Sequence, residues 1–212
     1  MICPKYKTIF FHAPKTAGTS IEQAFGEKNI LSRDGKHANV LEIKNHLCLN
    51  IKKPMIYENY FKFTFTRNPF GLIFSFYCFH SNLGGNSPFR LEEGGKLDTF
   101  EKFILEVGEN GLSGSIIRDW ANKRNAAKCF GRVNQKQFAY IDGEMEIDFI
   151  GRFENLEKDF KVVSKVVGLD SVLPHRNNSR KPRPYWSNYT YETREIVEKL
   201  LKEDLETVNY CF

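Results

Sequence analysis

No stretch of this chain approaches the roughly 20 consecutive apolar residues that a membrane-spanning helix needs. The first residues, MICPKYKTIFF, also lack the long apolar core and small-residue cleavage site of a signal peptide. The five cysteines, Cys3, Cys48, Cys78, Cys129 and Cys211, are odd in number and include no C-x-x-C pair. That pattern excludes a disulfide framework and a thiolate metal site, and suits reduced thiols in a cytosolic protein. The five histidines are scattered without metal-ligand spacing, so no metal requirement is expected. There is no internal repeat. The net charge is only +5, too small and too dispersed to predict a nucleic-acid partner, but suited to a small anionic ligand. The one dense basic run is 175–183, HRNNSRKPR, which Pro182 and Pro184 confine to a loop.

What the chain does have is a core. A hydrophobic content of 41% with 19 phenylalanines suits one domain spanning 1–212, a size that buries about 70% of the unfolded surface. Strand and helix signals alternate, as a parallel sheet with crossover helices requires. Strands are expected at Thr8 to His12, Phe61 to Thr66 and Glu146 to Arg152. Helices are expected at Thr19 to Phe25, Asn39 to Asn50, Phe70 to His80, Asp98 to Val107 (Asp98 as N-cap), Asn155 to Val167 (stopped at Gly168) and Tyr191 to Thr207. The glycine-rich stretch from Ser81 to Gly95 reads as a long loop that could close over a ligand.

The segment Thr8 to Ser20, TIFFHAPKTAGTS, carries the strongest functional signal. A buried strand breaks into a loop of small residues with one lysine, and a helix starts directly after it. Such a junction cradles phosphate-like anions, because free backbone N–H groups and the positive end of the helix dipole face the same point. Lys15 adds a point charge, and Thr16, Thr19 and Ser20 add hydroxyls. Pro14, Ala17 and Gly18 complete the candidate cradle. The register differs from the nucleoside-triphosphate pattern G-x-x-x-x-G-K-[ST], since Pro14 precedes the lysine and Gly18 follows it.

A second segment, Tyr60 to His80, repeats the strand-to-helix theme. Phe61, Phe63 and Phe65 alternate with polar residues, and Arg67 stands at the strand's carboxyl end. Asn68 suits an N-cap and Pro69 the first helical position. Ser75 falls about two turns into the following helix. Arg67 and Ser75 are therefore candidates to converge on one phosphate.

Together these segments resemble the sulfotransferases that use 3′-phosphoadenosine 5′-phosphosulfate (PAPS), most closely the branch that sulfates carbohydrate hydroxyls. HAPKTAGTS resembles the family's 5′-phosphosulfate loop. Arg67-Asn68-Pro69 with Ser75-Phe76-Tyr77 resembles its 3′-phosphate motif. Further matches are Phe149 to Phe160 (FIGRFENLEKDF) and a tail holding LPHRNNS, Tyr185-Trp186 and Asn209-Tyr210-Cys211-Phe212. One departure is Leu72, at a position where members often carry a second arginine. Many animal relatives are membrane-anchored Golgi proteins. This sequence shows no such anchor, so the expectation is either a microbial or viral cytosolic enzyme or a trimmed catalytic domain, and the Met1 start and short length favour the first.

The resemblance implies an α/β, P-loop-like three-layer fold with a central, mainly parallel sheet flanked by helices. It also implies transfer of a sulfuryl group from PAPS to a carbohydrate or other hydroxyl-bearing acceptor, with adenosine 3′,5′-bisphosphate as product. Lys15 would meet the charge growing on the leaving group. Arg67 and Ser75 would hold the 3′-phosphate, helped by Arg180 and Lys181. For the general base the choice lies among His37, His12 and Glu154, with His37 preferred because it sits between the two cofactor motifs and histidine titrates near neutrality. Gln135 and Gln137 are candidates to bond sugar hydroxyls. Two other readings are a P-loop-like nucleotide or small-molecule kinase, and a non-catalytic module binding nucleotides or acidic glycans. The lysine register and the lack of an obvious acidic strand end argue against the kinase.

Overall fold

A computed structural model describes residues 1–26, 36–80, 99–110, 133–174 and 184–212. The contacts divide the chain into two compact units, Met1–Arg67 with Gln135–Arg176, and Asn68–Asn134 with Asn177–Phe212.

The first unit is built on a sheet in the order β1-β2-β3-β6. Here β1 is Ile2–Cys3, β2 is Thr8–Phe11, β3 is Phe61–Thr66 and β6 is Phe149–Arg152. β1 runs antiparallel to β2, while β2, β3 and β6 are mutually parallel. A small hairpin, β4 (Tyr140–Ile141) and β5 (Glu144–Met145), stands apart. The parallel strands are aromatic and β-branched, as strands covered on both faces should be. Their period-2 alternation sends Phe10, Phe63 and Phe65 to one face and Ile9 and Phe11 to the other. On the first face Ile21, Ala24 and Phe25 of α1 (Gly18–Phe25) meet Phe160 and Val163 of a later helix, α6 (Leu156–Val167). On the second face lie Val40 and Ile43 of α2 (Val40–Asn45), Leu47 of the π-helical turn that extends it to Asn50, and Tyr57 of α3 (Pro54–Asn59). The result is three layers around a mainly parallel sheet, the α/β fold expected. Thr8 and Thr64, both buried within β-strands, satisfy their hydroxyls by donating to Phe61 O (2.8 Å) and Phe11 O (2.7 Å) on the neighbouring strand.

The start of β6 differs from the sequence reading. β6 begins at Phe149, because Glu146 is drawn off the ladder: its carboxylate accepts from Lys44 Nζ at 2.9 and 3.0 Å and from Tyr57 OH at 2.9 Å. Helix α6 ends at Gly168 as expected, with φ +70° in the left-handed region.

The second unit is helical in its described part. Helix α4 (Pro69–His80) is apolar on nearly all sides and buries Phe70, Leu72, Ile73, Phe74, Phe76 and Tyr77. They pack with Phe103, Ile104 and Val107 of α5 (Phe100–Asn110) and with Val197 of α7 (Tyr191–Leu200). Asn68 Oδ1 accepts from Phe70 N at 3.0 Å, the N-cap bond its position predicts. The cap of α5 comes from Thr99, whose hydroxyl accepts from Lys102 N at 3.2 Å; Asp98 lies outside the described residues. The C-terminal segment is two helices, α7 and α8 (Lys202–Thr207), interrupted where Leu201 leaves helical geometry (φ −114°, ψ 25°). No helix among the described residues is long and apolar enough to cross a membrane.

Candidate functional site

The parallel pairing of β2 with β3 brings their carboxyl ends side by side, the edge where open α/β sheets bind ligands. β2 leads into His12–Ala17, and β3 ends one residue before Arg67. In the loop, Lys15 (φ +63°) and Ala17 (φ +64°) are left-handed, and Thr16 between them is not. Alternating hand turns successive N–H groups toward one side and forms an anion-binding concavity. Each non-glycine residue in this region costs about 1 kcal/mol, so something must hold it there. Thr16 Oγ1 donates to Ala13 O at 2.8 Å, and Arg67 Nη1 donates to Lys15 O at 3.2 Å. Helix α1 then starts at Gly18 directly after this loop, with no side-chain cap on its first turn, the end of a helix that favours anions.

The loop is also supported from below. The ring of His12, 4% exposed, lies against Gly18: a Cβ built there would fall 2.0 Å from His12 Cδ2 and Nε2. Gly18 is thus required by close approach. His12 Nδ1 lies 3.0 Å from Glu22 Oε1. Lys36 Nζ reaches Glu22 Oε2 at 3.6 Å and donates to Thr19 Oγ1 at 3.3 Å. His37 closes the cluster. Its Nδ1 is 2.9 Å from the His12 carbonyl, and the two imidazoles meet edge-on with centroids 4.5 Å apart.

The family model described as the sulfotransferase family matches residues 1–211. The chain belongs to the sulfotransferase family. Neither a curated protein nor a solved structure matches it.

The electrostatics of the cluster follow from burial. Desolvation lowers the His12 pKa to about 4, although the Glu22 hydrogen bond pulls the other way. At neutral pH His12 is therefore an uncharged ring donating Nδ1–H to a carboxylate, despite a separation that would allow an ion pair. Burial pushes Glu22 upward, but the His12 hydrogen bond and the charge of Lys36 act against it and Glu22 stays below its usual range. His37 faces a carbonyl, which can only accept, so its Nδ1 carries the proton. In the neutral ring the lone pair is then on Nε2, the tautomer a general base requires.

The residues expected from the sequence distribute as follows. Lys15, Thr16, Ala17, Gly18, Thr19, Ser20, His12, His37 and Arg67 lie in the first unit around the β2 and β3 ends, with Pro14 buried at the loop's entry. The Thr16 hydroxyl has its only proton committed to Ala13, so Thr16 offers an anion its backbone N–H. Ser75 lies half-buried on α4 in the second unit. Arg180, Lys181 and the stretch from Ser81 to Gly95 lie outside the described residues. Glu154 is exposed in the 3₁₀ turn Phe153–Asn155. Leu72, standing where an arginine often stands, is 1% exposed in the core.

Gln135 is corrected from a sugar contact to a backbone clamp. It is 1% exposed and bonds both the N–H (2.6 Å) and the C=O (2.8 Å) of Arg67. Gln137 accepts from Asn39 Nδ2 at 3.3 Å. Glu22 and Lys36 have no motif in the sequence that would mark them; Phe153, whose ring centroid lies 4.1 Å from the Arg67 guanidinium carbon, stands within the matched stretch Phe149 to Phe160, which gives no sign of this contact.

Proposed function

We propose that this sulfotransferase moves the sulfuryl group of PAPS to a hydroxyl of a carbohydrate or related acceptor. The observation that carries the reading is the convergence of the two motifs: the Arg67 guanidinium, 3.2 Å from the Lys15 carbonyl, at the carboxyl ends of adjacent parallel strands. A cradle of main-chain N–H groups with one lysine and one arginine suits a cofactor bearing a phosphosulfate and a separate phosphate.

When bound, PAPS supplies the sulfuryl group: the acceptor oxygen bonds to sulfur as the bond from sulfur to the 5′-phosphate oxygen breaks. The chain's part is positioning and charge stabilisation. Lys15 and the N–H groups of the loop and of the start of α1 stabilise the negative charge on the leaving oxygen. Arg67, at the carboxyl end of β3, holds the 3′-phosphate. His37 takes the acceptor's proton at Nε2, and the His12 carbonyl keeps its ring in that tautomer.

The test is calorimetric titration with adenosine 3′,5′-bisphosphate, ATP and AMP in parallel. The expected result is tight bisphosphate binding that Arg67→Ala weakens to the level of AMP and His37→Ala leaves intact, while His37→Ala loses turnover with PAPS. Binding of ATP in preference to the bisphosphate would move the protein to the kinase reading. Unchanged turnover in His37→Ala would remove that residue as the base.

A further inference from the structure

Arg67 lies one residue beyond β3, where the sheet no longer serves its backbone. The ladder to β2 closes at Thr64, paired with Phe11, and the ladder to β6 closes at Thr66, paired with Arg152. A buried peptide left there without partners is costly. Gln135 supplies both partners, its Oε1 accepting from Arg67 N at 2.6 Å and its Nε2 donating to Arg67 O at 2.8 Å. One side-chain amide thus imitates a strand's peptide. Its own placement is rigid: Phe138 N donates to Gln135 O at 3.0 Å, and the Phe138 ring is fully buried. On the side-chain end of Arg67, the guanidinium rests on the face of Phe153 at 4.1 Å while Nη1 bonds the Lys15 carbonyl. An arginine held at backbone, plane and tip loses little further freedom on meeting an anion, which is the condition for a strong and selective contact.

We propose that Gln135 and Phe153 are positioning residues that fix Arg67 for the 3′-phosphate, and so set the protein's preference for a 3′,5′-bisphosphorylated nucleotide over a 5′-monophosphate. This rests on the cofactor reading above. AMP and adenosine 3′,5′-bisphosphate differ only in the 3′-phosphate, so the ratio of their dissociation constants isolates that contact from the rest of the site.

The experiment measures this ratio by calorimetry for the wild type, Arg67→Ala, Gln135→Met and Phe153→Leu. The expected result is a ratio strongly favouring the bisphosphate in the wild type and close to one in Arg67→Ala. In Gln135→Met it falls by about tenfold, the size of one charge-assisted hydrogen bond, with AMP affinity held within about twofold. In Phe153→Leu it falls about threefold, as loss of a partly exposed cation–π contact implies. A wild-type ratio in Gln135→Met overturns the proposal, as does equal weakening of both nucleotides, which is what general loosening of the fold would give. Should Gln135→Met not fold, Phe153→Leu decides, and an unchanged ratio there overturns it. A wild type that does not distinguish the two nucleotides refutes the cofactor reading itself, before any variant is compared, and removes this proposal with it.

Discussion

His12 is the residue whose chemistry is changed most by its surroundings. In the unfolded chain it takes up a proton near pH 6.5, whereas in the folded chain burial delays this to about pH 4. Between those values the unfolded state binds more protons, so stability is full above pH 6.5 and declines as the pH falls toward 4. Glu22, held below its usual range, adds to the loss at lower pH, when its carboxylate must be protonated. Wild-type stability should therefore fall by about 1–3 kcal/mol between pH 7 and pH 4 through His12 alone. Denaturant unfolding across that range should give a flatter profile for His12→Gln, and identical slopes would contradict the depressed pKa. The residue scale was only partly legible. Lys15, Gly18 and Arg67 are marked by their motifs, but the reason for Gly18 is the His12 ring beside it. Thr16 illustrates the converse: its hydroxyl looked like a ligand donor and instead braces the loop.

At the scale of elements, the strand-to-helix junctions were readable because their signals are local. β3 falls at Phe61–Thr66 as expected, and α4 begins at Pro69 behind an Asn68 cap. Leu72 shows what an exchanged residue does to an element. An arginine there would be a buried charge in the present packing; leucine joins Phe70, Phe74 and Tyr77 in the core. Leu72→Ala should destabilise the protein by about 2–5 kcal/mol, the cost of a large-to-small core substitution. Leu72→Arg should be worse. Chemical denaturation checks both, and a Leu72→Ala cost below about 1 kcal/mol would mean that the position tolerates exposure. Two elements resisted sequence reading. β6 is shorter than its pattern implies, since nothing in a linear sequence reveals that Glu146 turns to Lys44 and Tyr57. The last helix reads as one in sequence, because its amphipathic spacing continues across Leu201 although the helical backbone does not.

For the whole molecule, each compact unit draws on two separate stretches of chain, so neither can close before both stretches have been made. The expectation of one 212-residue domain then predicts a single thermal transition whose calorimetric and van't Hoff enthalpies agree. Two resolved transitions would mark the units as independent folders. The sequence alone determined the alternation of strands and helices, the anion-cradle composition of residues 8–20 and the arginine placed at a strand's end. These depend on period-2 and period-3.6 patterning, turn chemistry and capping, all properties of neighbouring residues. Only the tertiary structure decided which side chains support those motifs: Glu22 on His12, Gln135 on Arg67 across 68 positions of sequence, and Phe153 beneath the guanidinium. Such partners are selected by proximity after the sheet has formed, and a buried peptide or ring accepts whichever group the fold brings within reach.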